Sequence, residues 1–541
     1  MEKAGYGKDG IFRSLRPPLI LPMEDEANIV SFLFRDSSPY AHKLALVDAD
    51  SGEKLCFGKF KDKVYQVGAG LHQLGIKNQD VVLIFAPNSI NFPLCFFGII
   101  SIGAVATTVN PLYTTKEVSK QVHDSKTKLI ITVPALWDKI KDLGLPAVII
   151  GSYNLSMSTS GIPITLFSEV LNMGLKEGPP MVRFKQTDIA ALLYSSGTTG
   201  TSKGVVLSHR NFIASVLMLG SDQEARGEKN LTWLSVLPMF HAYGLVNVMT
   251  AQLQRKNTVV SMGRYDFVWM LKVIQEYKVT HLPIVPPIMI ALAKHKDIVA
   301  QYDLSFLKEV ITGAAPLGRD IIEECAANIP NAVILQGYGL TETCGIATMV
   351  ARERKGHFGS SGTLVSGIEA KIASLEIGKP LPPNQRGEIW LRGSNIMAGY
   401  FNNPNATKDT MDRDGWLHTG DLGFFDENGN LFIVDRIKEL IKCKGFQVAP
   451  AELEGLLLTH PEIVDAAVIP QPDPQAGEVP IAYIVLSSGS SLKKQDVMEF
   501  VSKQVAPFKR LHNVIFVKVI PKSASGKILR RELVKNMKSK L

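Results

Sequence analysis

The chain has 541 residues, of which 45% are hydrophobic and 20% charged, and a formal net charge of +8. That length exceeds one compact core and predicts a large multi-part domain with a smaller one, and the composition excludes wholesale disorder. Five scattered cysteines without a CxxC pair exclude a disulfide framework or a cysteine metal site, and read as free thiols in a reducing compartment.

The start, MEKAGYGKDG, is charged and Gly-rich without an apolar segment, so no secretory signal is expected. Phe60, Val64, Val67, Leu71 and Leu74 recur at helical spacing, and Gly75 stands where a C-terminal cap belongs. Val81 to Phe85 predicts a buried strand, and Leu129 to Val133 and Ala147 to Ile150 repeat it. Helices are expected over Lys116–Asp124 and Ala135–Leu143. The uncharged run Phe92 to Val109 is long enough for a membrane span, but its Pro, Gly and Ser content predicts a buried helix and then a buried strand. No transmembrane segment is expected. Strands alternating with helices predict an α/β fold of mainly parallel, helix-covered sheets.

Tyr194 to Gly204 reads YSSGTTGTSKG, and from Ser195 to Ser202 it contains only Ser, Thr and Gly. Apolar runs flank it, Ile189 to Tyr194 before and Val205 to Leu207 after. A loop of this kind between two strands offers closely spaced N–H groups, hydroxyl donors and the Lys203 ammonium, which suits a polyphosphate better than a flexible linker would. It is not a Walker loop, since Thr201 and Ser202 separate Gly200 from Lys203. It is not GxGxxG either, because Glu342 falls where a third glycine would follow Gly337 and Gly339.

Ser208 predicts an N-cap for a helix from His209 to Leu219. His241 sits between Pro238 and Gly244, a turn at a strand end, where α/β sheets build their sites. Thr258–Met262 and His281–Val285 read as strands, with Pro283, Pro286 and Pro287 marking strand ends and turns. Val310 to Pro316 and Gln336 to Glu342 read as strands breaking into small-residue loops, a floor for a planar base. Thr341 suits a phosphate oxygen and Glu342 suits Mg2+. From Leu381, dense Pro, Asn and Gly turn signals around short strands predict a small β-rich subdomain. Residues 435–541 carry 17 Lys and Arg against 11 Asp and Glu, so +6 of the chain's +8. No aromatic interleaving or groove-binding motif accompanies that charge, which argues against nucleic acid; ATP and coenzyme A are sufficient polyanions for it, in competition with an ordinary solvated basic face. The last three residues, Ser539–Lys540–Leu541, form the tripeptide read by the peroxisomal import receptor, which predicts a peroxisomal location.

Five blocks then occur in order: SSGTTGTSKG; QGYGLTET; GEIWLRG with GYFNNP; WLHTGD; and DRIKELIKCKGFQVAPAELE followed by PKSASGKILRR. They span about residues 190 to 530, and with them the chain resembles the acyl-adenylate-forming enzymes, most of all the plant 4-coumarate:CoA ligase-like acyl-CoA synthetases. The resemblance implies a large N-terminal adenylation domain (1–434) and a small, mobile α+β C-terminal domain (435–541) that swings about a hinge at Asp435. It implies that acid, ATP and CoA become acyl-CoA, AMP and diphosphate through an acyl-AMP. Ser195, Ser196, Gly197, Thr198, Thr199 and Lys203 would hold the β- and γ-phosphates. Ala314, Gln336, Gly337 and Thr341 would line the nucleotide pocket, with Glu342 near Mg2+. Asp421 and Arg436 would bind the ribose, and Lys527 would bridge the carboxylate and the AMP phosphate. After the swing Lys438, Lys442, Lys444, Gly445 and Gln447 would face the site, with Arg264 helping to bind CoA. His241 would gate an acyl pocket lined by Tyr243, Ala314, Gly337, Ile346 and Met349.

Two departures bear on the substrate. Hydroxycinnamate ligases carry Ala-Gly-Pro-Val after the Thr-Glu pair, where this chain has Thr343–Cys344–Gly345–Ile346. Their GEICIRG box appears here with Trp390 in place of its cysteine. With the SKL end, this favours fatty or oxylipin (jasmonate-precursor) acids, with 4-coumarate or another cinnamate or benzoate as the alternative. A luciferase-type monooxygenase shares these loops. A non-catalytic nucleotide or acyl-CoA binder would be expected to lose Lys203 or Lys527, and both are present.

Overall fold

The computed structural model describes residues 5–24, 27–153, 161–176, 178, 180–195, 202–314, 318–351, 359–524 and 526–538. Two helix-covered sheets dominate it. The eight-stranded sheet places Val81–Phe85 between Val105–Thr108 and Thr127–Thr132, all parallel, as expected of continuous apolar runs buried on both faces. The run beginning at Phe92 forms the buried helix Asn91–Ser101 and then the strand Val105–Thr108. No helix among the described residues is long and apolar enough to cross a membrane. The expected helix over Ala135–Leu143 is instead two 3-10 segments, Pro134–Lys139 and Lys141–Leu143, the first entered through Pro134.

The nine-stranded sheet carries the functional floor. Its strands Thr232–Ser235, His281–Ile284, Glu309–Thr312 and Val333–Tyr338 lie side by side. Pro283 is inside a strand, not at its end as expected. The neighbouring strand is in register only at Trp233 with His281, and past that point the two part, so a residue without an N–H is tolerated.

The β-rich subdomain is a five-stranded antiparallel sheet of Phe12–Arg13, Glu369–Ala373, Gly387–Arg392, Leu417–Phe425 and Leu431–Arg436. Its first strand comes from the far N-terminus, which local turn signals after Leu381 could not reveal. Phe12 is fully buried, stacked on Phe425 at 4.4 Å.

The C-terminal part is α+β with its own apolar core, built around the long hairpin Ile463–Asp473 and Gly477–Leu486. The strands Ile441–Cys443 and Phe446–Val448 are joined by Lys444–Gly445, both at positive φ, the geometry of a two-residue hairpin turn. All five cysteines are free thiols.

Candidate active site

Alternation along the nine-stranded sheet builds the floor of a cavity of about 170 Å³. Residues that share a row across the strands share a face. Glu309 lies opposite His281, with Trp233 beyond it; Ile311 lies opposite Pro283 and Leu335; Gly313 approaches Gly337. The successive rows are therefore charged, apolar and side-chain-free. The roof comes from the helix His209–Ala225 and from a π-helix, Tyr243–Thr250. No sequence pattern announced that π-helix, a form that recurs at functional sites. Tyr243 donates its hydroxyl to the Ile311 carbonyl at 3.0 Å, tying roof to floor. Gly345, at φ +95°, packs so closely that a Cβ would lie 2.3 Å from Asn247 Oδ1.

At the glycine end the cavity meets a second cleft of about 620 Å³ between the two parts of the chain. Here His241, Ala314, Thr341, Glu342, Arg436 and Lys527 converge, with Ser195 also on the wall. Ala314 holds φ +74°, an uncommon conformation for a residue with a Cβ. Asp421 and Arg436 are cross-strand partners in the β-rich sheet, and Arg436 Nε lies 2.6 Å from Asp421 Oδ1. The other Asp421 oxygen accepts the Tyr338 hydroxyl at 2.6 Å. Burial raises the Asp421 carboxyl above its ordinary value, against the pull of Arg436 and Tyr338. Gln336 joins Asp421 on the wall of the second cleft.

Lys527 enters on a loop from the C-terminal part. Gly526, at φ +77°, lies against Val285 and Pro287 of the large part, where a Cβ would come within about 3.1 Å. Burial and then Arg436 push the Lys527 ammonium below its ordinary value. Burial, with a contribution from Lys527, drives His241 down to about 4. Its Nδ1 accepts the Tyr243 N–H at 3.4 Å, so the neutral ring carries its proton on Nε2.

The Glu342 carboxylate accepts the Tyr400 hydroxyl at 2.9 Å, and Lys203 Nζ lies 4.7 Å from the centre of the same ring. Tyr400 thus links Lys203 to the acid, a contact that the GYFNNP block carried unseen. A carboxylate so placed has the oxygen-donor chemistry that Mg2+ takes.

Tyr243, Gly337, Ile346 and Met349 line the cavity. Ser196, Gly197, Thr198 and Thr199 lie outside the described residues. Arg264, Lys438, Lys442, Lys444, Gly445 and Gln447 are exposed and line neither cleft. Lys442 pairs across the hairpin with Gln447. Of the two departures, Cys344 is buried in the core and Trp390 stacks on His418 at 3.9 Å, so only Gly345 and Ile346 of that first stretch reach the cavity.

The AMP-binding enzyme family model matches residues 33–401, and the model for the AMP-binding enzyme C-terminal domain matches 452–527. The chain belongs to the AMP-binding enzyme family. Like other AMP-binding enzymes of its kind it is an adenylate-forming CoA ligase, an acid–thiol ligase. It is 46% identical to a probable CoA ligase of Humulus lupulus, over 100% of this chain and 98% of that one. It is 44% identical to the peroxisomal OPC-8:0-CoA ligase 1 of Arabidopsis thaliana, over 98% and 97%. Among solved structures, ATP-bound MatB of Rhodopseudomonas palustris superposes with a TM-score of 0.83 at 27% identity, over 95% of this chain and 99% of that one. An anthranilate CoA ligase in complex with anthranoyl-AMP gives 0.86 at 25%, over 96% and 99%.

In this AMP-binding enzyme the C-terminal part carries a charged cluster on the wall of the second cleft. Arg530 reaches Glu454 at 3.0 Å and Glu439 at 3.2 Å, and Glu454 also accepts the Val468 N–H at 2.7 Å. Burial, offset by Arg530, raises Glu454 to about 7 from an ordinary 4.5. The folded state thus holds a proton that the unfolded chain releases, and stability falls as pH rises from about 4.5 to about 7. Asp421 and Asp435, also raised, act with the same sign. Glu454→Gln is expected to remove on the order of 3 kcal/mol of that loss. Its melting temperatures at pH 5 and pH 8 would then lie closer together than those of the wild type; an unchanged gap would assign the loss elsewhere.

Proposed function

We propose that this ligase activates fatty or oxylipin acids in the peroxisome, through an acyl-AMP made with Lys527 in place and a thioester made after that lysine withdraws. The observation that carries the proposal is the meeting of a cavity with an apolar middle and the interdomain cleft at the Lys527 ammonium. A carboxylate lodged in the first and an α-phosphate in the second would share that cation. Carboxylate oxygen attacks the α-phosphorus, the bond to diphosphate breaks, and the CoA thiolate then attacks the acyl carbon and releases AMP. Both anionic partners of the first step are held against their repulsion by cationic groups aimed at the transition state. Neutral His241 offers its Nε2 proton to the substrate carboxyl without competing for Lys527. Asp421 offers two acceptor oxygens to the ribose hydroxyls, and Glu342 is the residue to hold Mg2+.

The hinge at Asp435 and the boundary 434/435 are part of the same proposal. They explain why Lys442, Lys444 and Gln447 lie away from the site while Lys527 occupies it. The Arabidopsis relative's name, a peroxisomal OPC-8:0-CoA ligase, supports both the acid class and import through Ser539–Lys540–Leu541. The test is purified protein with ATP, Mg2+, CoA and a panel of medium-chain, oxylipin and hydroxycinnamic acids, read as AMP release. Preference for the aliphatic acids is expected. A preference for coumarate would shift the assignment to the cinnamates, and no release with any acid would end the ligase reading.

A further inference from the structure

The end of the acyl cavity farthest from Lys527 is polar, although a pocket for plain alkyl chains needs the opposite. Trp233 and Gln223, 4% and 5% exposed, both face this end. The Trp233 Nε1–H and the Gln223 Oε1 have no hydrogen-bond partner there among the described residues. Buried polar atoms left without a partner cost free energy, and such atoms on a cavity wall mark where a ligand supplies the missing group. Behind them Arg226 bonds to Glu228 at 3.1 Å and to Glu309 at 3.2 Å, and Trp233 stacks on His281 at 4.5 Å. The indole is therefore held in place before any substrate arrives.

We propose that Trp233 and Gln223 select acids whose tail ends in a neutral polar group, a hydroxyl or an oxo group. This deepens the ligase reading above and rests on this cavity being its acyl site. A hydroxyl would accept from Trp233 Nε1–H and donate to Gln223 Oε1; an oxo group would use the first bond alone. Two carboxylates face one guanidinium at this end, so an anionic tail is disfavoured. The cavity sets the reach as well. From Glu309 to Gly313 the floor runs four residues along one strand, about 13 Å at ~3.3 Å each. An extended chain advancing about 1.2 Å per bond covers that in roughly ten bonds.

Decanoic acid, its terminal-hydroxy derivative and the matching dicarboxylic acid test the proposal, with kcat/KM read from AMP release. Titration calorimetry of the same free acids on the full chain is run alongside. The hydroxy acid is expected to be favoured about tenfold over decanoic acid in both measurements, mostly through KM. Trp233→Phe keeps the ring on His281 and removes the donor, and Gln223→Leu removes the acceptor. Each should cut the advantage of the hydroxy acid over decanoic acid from about tenfold to about twofold or less, in kcat/KM and in binding alike. Equal handling of the two acids by the wild type, a preference for the dicarboxylic acid, or a preference that survives in both variants would overturn the proposal. Silence in AMP release with a tenfold difference in binding would sink the ligase reading and support the tail preference, so the two failures are distinguishable.

Discussion

Replacing Lys527 with alanine is expected to slow acyl-adenylate formation by at least about a hundredfold while leaving thioester formation from a supplied acyl-AMP within a few-fold of wild type. The ammonium stands where the cavity on the nine-stranded sheet and the second cleft join, beside Arg436 and within the field of His241 and Asp421. At about 4 Å and an effective dielectric near 20, one charge contributes roughly 4 kcal/mol. A hundredfold loss corresponds to about 2.7 kcal/mol, so the estimate leaves room for partial screening. Pyrophosphate exchange isolates the first step. An exchange rate near wild type in the variant would remove Lys527 from the reaction.

Asp435→Pro is expected to impair thioester formation at least about tenfold more than pyrophosphate exchange, because proline fixes φ near −65° at the residue proposed above as the hinge. Asp435 also fastens the arrangement described here. One carboxylate oxygen accepts the Arg436 N–H at 2.7 Å and the other the Ala451 N–H at 2.9 Å, at the start of the helix Pro450–Leu458. Removing that clasp and removing the freedom of φ are different injuries, and Asp435→Ala separates them. Alanine loses the carboxylate alone and should affect exchange and thioester formation alike. If proline also lowers both steps equally, no rotation at this position is needed, and Lys442 and Gln447 have no route to the site.

Local pattern determined a good deal of this molecule. Continuous apolar runs such as Val81–Phe85 specified buried parallel strands, since in a doubly covered sheet neither face can be polar. The Ser208 cap and the stop at Gly75 marked real helix ends, where a side-chain oxygen or a left-handed turn takes up unpaired backbone groups. The hydroxyl-rich stretch ending at Lys203 and the block around Lys527 stand out in the sequence because each is a run of consecutive residues.

What local pattern could not supply was anything made by strands far apart in the chain. Phe12 joins a sheet whose other strands begin more than 350 residues later. Tyr338 and Tyr400 become parts of the site only when Asp421 and Glu342 are brought against them. Trp233, Gln223 and Glu309 each look like ordinary core or surface residues in the sequence. They form the polar end of one cavity because strand register puts Trp233 beside His281 and His281 beside Glu309, and a helix lays Gln223 over them. Register is a property of neighbouring strands, not of any single one. The kind of reaction was therefore written along the chain, while the shape and polarity of the cavity existed only once the strands were paired.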